Sequence, residues 1–244
     1  MGLCWNWLCQ FLRESHPLAS RISDSQKGGC PPLDPEGFWG NEDMKLVLAT
    51  RNRGKVKEMA GMLASYGIEV LSLDDFPQVG EIEESGATFV ENAIIKAKET
   101  MELTSMAALA DDSGLEVDYL NGAPGVYSAR FAGTPSNDQN NNDKLLTLLA
   151  NVPTDKRTAR FQCVIAIAYP DGQIHTFQGT CEGLIAETPQ GTLGFGYDPL
   201  FYLPEHNKTF GELDLLLKNK ISHRGQALSK ALAFLAQNSP RNKF

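Results

Sequence analysis

Long apolar runs are missing from this 244-residue chain. No stretch reaches the roughly 18 to 20 consecutive apolar residues that a membrane-spanning helix needs, so no membrane partner is expected. The opening "MGLCWNWLCQFL" is apolar and aromatic, but no basic region precedes it and no small-residue cleavage site follows at the right distance. That speaks against a secretory signal and leaves the cytoplasm as the expected location. A basic excess is missing too: 22 Lys and Arg stand against 30 Asp and Glu, a net charge of −8. Nucleic acid is therefore not expected as a bulk partner. An acidic protein can still hold an anionic small molecule through a local cluster of Lys and Arg, helped by a metal ion. Cysteines are few, five in all at irregular spacing, which argues against a disulfide framework. Cys4, Cys9, His16 and Cys30 include no CxxC pair, so a zinc site is not expected there. No internal repeat or long low-complexity tract is present.

What is there is an ordinary globular composition, 42% hydrophobic and 21% charged, with enough length for one large domain or two small lobes. Residues 1–43 are rich in Gly, Pro, Ser and Trp without sustained periodicity, and read as a poorly ordered extension. The clean strand "MKLVLAT" then makes Met44 a candidate start codon and opens one domain over residues 44–244. Strands are expected at residues 45–50, 68–73, 107–110, 115–117, 184–187 and 200–203. The runs 159–169 and 173–179 read as a hairpin across Pro170-Asp171-Gly172. Helices are expected at 52–65, 88–104, 137–150 and 222–237. Interleaved helices and strands with a hairpin predict an α/β fold with a mixed sheet.

Five segments carry polar residues in patterns that point to chemistry. In "ATRNRGKVKE" a strand ends in a loop holding Thr50, Arg51, Asn52, Arg53, Gly54 and Lys55, and a helix begins. A helix start offers N–H groups and a positive dipole end to an anion. It is no Walker A loop, because Ala49 and Val56 stand where that motif needs Gly and Ser or Thr. A capped helix start with a solvated basic turn is the plainer reading. It leaves three cations opposing the dipole, which an anion would explain. In "EIEESGATFVENAIIKAKE", Thr88 and Glu91 form a capping box, leaving Asn92 and Lys96 one turn apart on one face, with Glu83 and Glu84 in the preceding loop.

The third segment, "ALADDSGLEV", ends an apolar run on two adjacent acids. Neighbouring strand residues point to opposite faces, so one acid faces a cleft and the other takes hydrogen bonds from the backbone. A strand-end acid followed by Ser113 suits Mg²⁺ and phosphate; a surface turn made by the DSG is the plainer reading. In "GTLGFGYDPLFYLP", glycines around Phe195 let a ligand approach the backbone, and the ring can stack on a base; a Gly-rich turn with a core aromatic would look similar. In "KNKISHRGQALSKALAFL", Lys218, His223 and Arg224 gather at the start of the last helix behind a Ser222 cap.

These segments, in this order, resemble the inosine triphosphate pyrophosphatase family, the dITP/XTP-type nucleoside-triphosphate pyrophosphatases, over essentially all the chain from Met44. The resemblance implies an elongated mixed sheet with flanking helices, two lobes around a central cleft, and a homodimer. It implies Mg²⁺-dependent hydrolysis of ITP, dITP and XTP to monophosphate and pyrophosphate. By position, Thr50, Asn52 and Lys55 would hold the triphosphate, and Glu84 and Asp112 would hold Mg²⁺. Asp112 would also accept a proton from the attacking water, while Asp111 braces the turn. Ser113 and Lys96 would contact phosphate or the reacting centre. Phe195 would stack on the base, Gly196, Tyr197 and Asp198 would line its pocket, and Lys218, His223 and Arg224 would read the base or close the site. Arg51 stands where many members have Gly, which alters the loop. Leu217 stands where an acid often precedes the Lys, which bears on how Lys218 is oriented.

Overall fold

Period-two alternation of apolar residues decides which side of the sheet each helix covers. The computed structural model describes residues 44–238; the extension expected over residues 1–43 lies outside the described residues. Strands β1 (Lys45–Leu48), β2 (Glu69–Ser72), β3 (Ala108–Val117), β4 (Thr158–Ala168), β5 (Ile174–Ile185), β6 (Phe201–Leu203) and β7 (Lys208–Thr209) form one sheet. Its order is β2-β1-β3-β4-β5-β6-β7. β1 pairs in parallel with β2 and β3, and the later pairings are antiparallel, giving the mixed sheet expected. The helices are α1 (Arg53–Ala64), α2 (Phe89–Thr104), α3 (Asp138–Leu148), α4 (Leu215–Ile221) and α5 (His223–Gln237).

Leu46, Leu48, Leu109, Cys163, Ile165 and Ile167 point to one face and meet Met59 and Leu63 of α1 and Leu228, Ala231 and Leu232 of α5. The alternate residues Ala110, Val164, Ala166 and Ala168 point to the other face and pack on Ala93 and Ala97 of α2. Each large side chain buried this way contributes roughly 1.5–3 kcal/mol. Two caps are those the sequence predicts: Thr88 and Glu91 close a capping box on α2, and Ser222 caps α5 by accepting from Gly225 N; Asn137, expected as the first residue of a helix, instead caps α3. Among the described residues no helix is long and apolar enough to cross a membrane.

Three local readings are corrected. The DDSG is not a turn between short strands, because β3 runs unbroken from Ala108 to Val117, paired with β4 throughout. Its acids can stay in a strand because cations meet them there. The strand expected to stop at Gly179 continues to Ile185. That glycine makes room for α5 rather than for a turn, since a Cβ on it would stand 2.7 Å from Ala227 N. Finally, α4 was not expected; its LLL start hides helical periodicity, and Asp214 caps it by accepting from Leu217 N. Lys218 therefore stands on α4, ahead of the last helix.

Candidate active site

Because β3 is a strand, Asp111 and Asp112 diverge. Asp111 joins the α1 and α5 side. Lys55 Nζ lies 3.1 Å from its Oδ1 and Arg224 Nε 3.3 Å from its Oδ2. Ser113 Oγ donates to Oδ2 at 3.1 Å. Its partners are thus side chains, two of them cations, and not the backbone or turn expected. Burial pushes the Asp111 carboxyl up, but Lys55, Arg224 and Lys96 outweigh it and hold it well below the ordinary range.

Asp112 joins the α2 side. Lys96, presented by α2 one turn after Asn92, places Nζ 3.2 Å from Asp112 Oδ1, 2.7 Å from Glu84 Oε1 and 2.7 Å from the Asp111 carbonyl. Burial lowers the Lys96 pKa, but Asp112, Asp111 and Glu84 more than restore it, and the net shift is upward. Burial pushes the Asp112 carboxyl above its ordinary value; Lys96 and Lys55 oppose this without reversing it, and Glu84 and Asp111 add to it. Asp112 Oδ2 is buried and has no hydrogen-bond partner among the described residues.

The β1–α1 loop is closed differently from the expectation. Asn52 Oδ1 accepts from Gly54 N at 2.9 Å and Lys55 N at 3.2 Å, and Thr50 Oγ1 accepts from Asn52 N at 3.1 Å. Those N–H groups are therefore capped from within rather than left free. Arg51 turns away: Nη2 donates to the Val79 carbonyl at 2.7 Å and Nη1 to the Gly80 carbonyl at 3.2 Å. Arg53 is exposed.

A second buried network joins α1, α4 and α5. Lys218 Nζ lies 2.7 Å from Glu58 Oε1 and 2.5 Å from Asp198 Oδ2, and Arg224 Nη1 pairs with Glu58 Oε2. Arg224 Nη2 donates to Ser113 Oγ at 2.8 Å, linking this network to β3. Glu58 and Asp198 thus orient Lys218, with no acid needed at Leu217. Phe195 lies over this cluster, its ring centre 5.0 Å from Lys218 Nζ and 5.5 Å from Arg224 Cζ, within cation–π range. Burial raises the Asp198 carboxyl despite Lys218.

His223 is buried and stacks on Phe161 at 4.6 Å. Burial, with Arg224 and Lys218 beside it, pushes its pKa well below the ordinary value, so the ring is neutral. Among the described residues its Nδ1 has no hydrogen-bond partner. Tyr197 Oη donates to the Ser128 carbonyl at 2.8 Å.

A cavity of about 1160 Å³ joins the two networks. Its lining takes in Thr50, Asn52, Lys55, Glu84, Lys96, Asp112 and Ser113 together with Phe195, Gly196, Tyr197, Asp198, Lys218, His223 and Arg224. Arg51 is on its wall, while Arg53 and Gly54 are not among its lining residues. The Ham1 family model matches residues 46–234. The chain belongs to the Ham1 family. It is 62% identical over 192 residues to the dITP/XTP pyrophosphatase of Desulforamulus reducens, covering 79% of this chain and 96% of that protein. Among solved structures, it resembles the HAM1 protein of Coxiella burnetii with 44% identity and a TM-score of 0.73, covering 80% of this chain and 99% of that one. The Staphylococcus aureus Ham1 protein is 41% identical with a TM-score of 0.71, covering 78% and 97%.

Sequence reasoning on this Ham1 chain overlooked Glu58, which binds both Lys218 and Arg224. The signal was its place three residues after Lys55 and next to apolar Met59, on a face that helical spacing buries. It also overlooked Asp138, which lines the cavity; nothing local marks that residue as more than a helix-start acid.

Proposed function

We propose that this Ham1-family chain hydrolyses the non-standard purine triphosphates ITP, dITP and XTP to the monophosphate and pyrophosphate, removing deaminated purines from the nucleotide pool. The observation that carries the reading is one cavity lined by two unlike sets of residues. One gathers Lys55, Lys96, Glu84 and Asp112, and the other sets Phe195 beside Lys218 and Arg224. The first suits a triphosphate and the second a flat base with an exocyclic oxygen. The printed names of the relatives support the same substrate class.

In the reaction, water adds to the phosphorus nearest the sugar and the anhydride bond to pyrophosphate breaks. Asp112 takes the water's proton on its carboxylate. Its raised pKa makes it a stronger base than an ordinary carboxylate. Lys96 and Lys55 hold the phosphates and neutralise charge on the leaving pyrophosphate, and in-line placement supplies much of the remaining barrier reduction.

Glu84 and Asp112 fit a divalent ion. Both present hard oxygen donors to one ammonium, and Asp112 Oδ2 is buried with no hydrogen-bond partner among the described residues. No group of three or more His, Cys, Asp or Glu ligands gathers among the described residues, which suits Mg²⁺, since it keeps waters and substrate phosphates as ligands. When bound it would supply further positive charge at the phosphate oxygens.

In the second set, Phe195 stacks on the base, and Lys218 and Arg224 offer donors to the six-position oxygen of hypoxanthine or xanthine. Adenine carries a donor there, so these groups would be left unpaired. Such mismatches reject by up to about 10⁴-fold. The proposal includes a cytoplasmic homodimer, as the resemblance implies. The test is pyrophosphate release from a panel of triphosphates. Preference for a modified pyrimidine would redirect the substrate, and binding of ITP without turnover would reduce the chain to a nucleotide-binding module.

A further inference from the structure

Phe195 stands on a loop that is free by composition. Gly191, Gly194 and Gly196 all have positive φ, at 78°, 79° and 60°, where glycine is unstrained and other residues are not. A stacking platform on such a loop needs ties that fix its angle to the base.

Helix α3 supplies them. Asp138 Oδ2 accepts from Gly196 N at 2.7 Å, and Asn142 Nδ2 donates to the Gly196 carbonyl at 3.0 Å. The two side chains are four residues apart, so they rise from one face of α3 and grip both backbone polar groups of the residue after Phe195. Asn142 is 6% exposed, so its bond lies sheltered from water. On the far side, Phe195 N donates to Asp198 Oδ2 at 2.8 Å. The phosphate set is built from other elements: the β1–α1 loop, α2 and β3.

We propose that Asp138 and Asn142 are positioning residues for the base. They hold Gly196, and through it the Phe195 ring, and so set affinity for the purine without entering the phosphate chemistry. This inference rests on the nucleotide reading above.

The test compares inosine monophosphate, which needs the platform, with inorganic pyrophosphate, which does not. In Asn142→Ala, inhibition by inosine monophosphate weakens and KM for ITP rises, each by about tenfold, as expected for a lost sheltered hydrogen bond; in Asp138→Ala, whose bond to Gly196 N is exposed, each changes by about threefold. kcat and pyrophosphate inhibition stay within about twofold, since the phosphate groups are untouched. Asp138→Asn, whose amide oxygen can still accept from Gly196 N, recovers most of the lost base affinity. Unchanged inosine monophosphate affinity in both alanine variants overturns the clamp. So does equal weakening of inosine monophosphate and pyrophosphate, which marks a general structural role. Absence of pyrophosphate release from ITP by the unaltered protein overturns the nucleotide reading itself, a separate outcome seen before any variant is made.

Discussion

The carboxylates of Asp111 and Asp112 leave β3 on opposite faces of the sheet: Asp111 ends between Lys55 and Arg224, and Asp112 ends at Lys96. Two acids that would repel on one face are each met by their own cations. Each Asp111 oxygen has a cation within ion-pair distance, whereas Asp112 Oδ2 has no hydrogen-bond partner among the described residues. In the mechanism proposed above the chemistry follows that division, with Asp111 holding the architecture and Asp112 facing the substrate.

Replacing Asp112 with Asn removes a base and a metal-ligand charge while keeping the shape. kcat for ITP falls by about 10² or more, and the folded state survives, since burial already disfavours the Asp112 charge. Steady-state kinetics with a thermal melt check both halves. Near-normal turnover would remove Asp112 from the mechanism.

Glu58 joins Lys218 and Arg224, so its loss strands two buried cations. Burial pushes its carboxyl up, but Arg224 and Lys218 prevail and the net pKa is lowered. A lowered carboxylate pKa contributes stability that is fully present above the unfolded value of about 4.3 and lost as pH falls through the folded one. Unfolding midpoints therefore decline on acidification below about pH 5. Glu58→Gln destabilises at neutral pH by about 3–5 kcal/mol and shows a flatter acid slope. An unaltered slope, read from urea titrations across pH, would contradict this.

The Phe195 ring rests on Gly54, where a Cβ would stand 2.5 Å from Phe195 Cδ1. Gly54→Ala should favour the helix by up to about 1 kcal/mol yet push the ring aside. KM for ITP rises several-fold while the melting temperature holds or increases. A lower melting temperature with unchanged KM would place the ring's seat elsewhere.

The cavity draws its residues from Ala49 to Arg224, and the family match spans residues 46–234. A chain that begins at Met44 should keep kcat/KM for ITP within about twofold of the full chain, as expected when a terminal segment carries none of the site. Loss of folding or turnover on truncation would make residues 1–43 integral.

Much of this was legible locally. The caps at Thr88 and Ser222 announce their helices, and alternation in "TARFQCVIAIA" sets the two faces of β4. The cations at Lys55 and Arg224 were readable because the chain has few reasons to place them against helix dipoles, whereas Lys96 reads locally as an ordinary surface lysine and was marked only by the family resemblance. What was not legible depends on distance in sequence. The partners of Asp111 come from α1 and α5, more than a hundred residues apart in the chain, so a strand carrying paired acids looked like a turn. Glu58 meets Lys218 across 160 positions, and Asp138 meets Gly196 across 58. Gly179 signals an end by composition, whereas its role is to admit α5.

The most direct measurement is pyrophosphate release from ITP, XTP, GTP and ATP, each with and without Mg²⁺. The account predicts rapid release from ITP and XTP, little from GTP or ATP, and loss of activity when the metal is removed. Equal hydrolysis of ATP, orthophosphate as the product, or full activity without a divalent ion would contradict it.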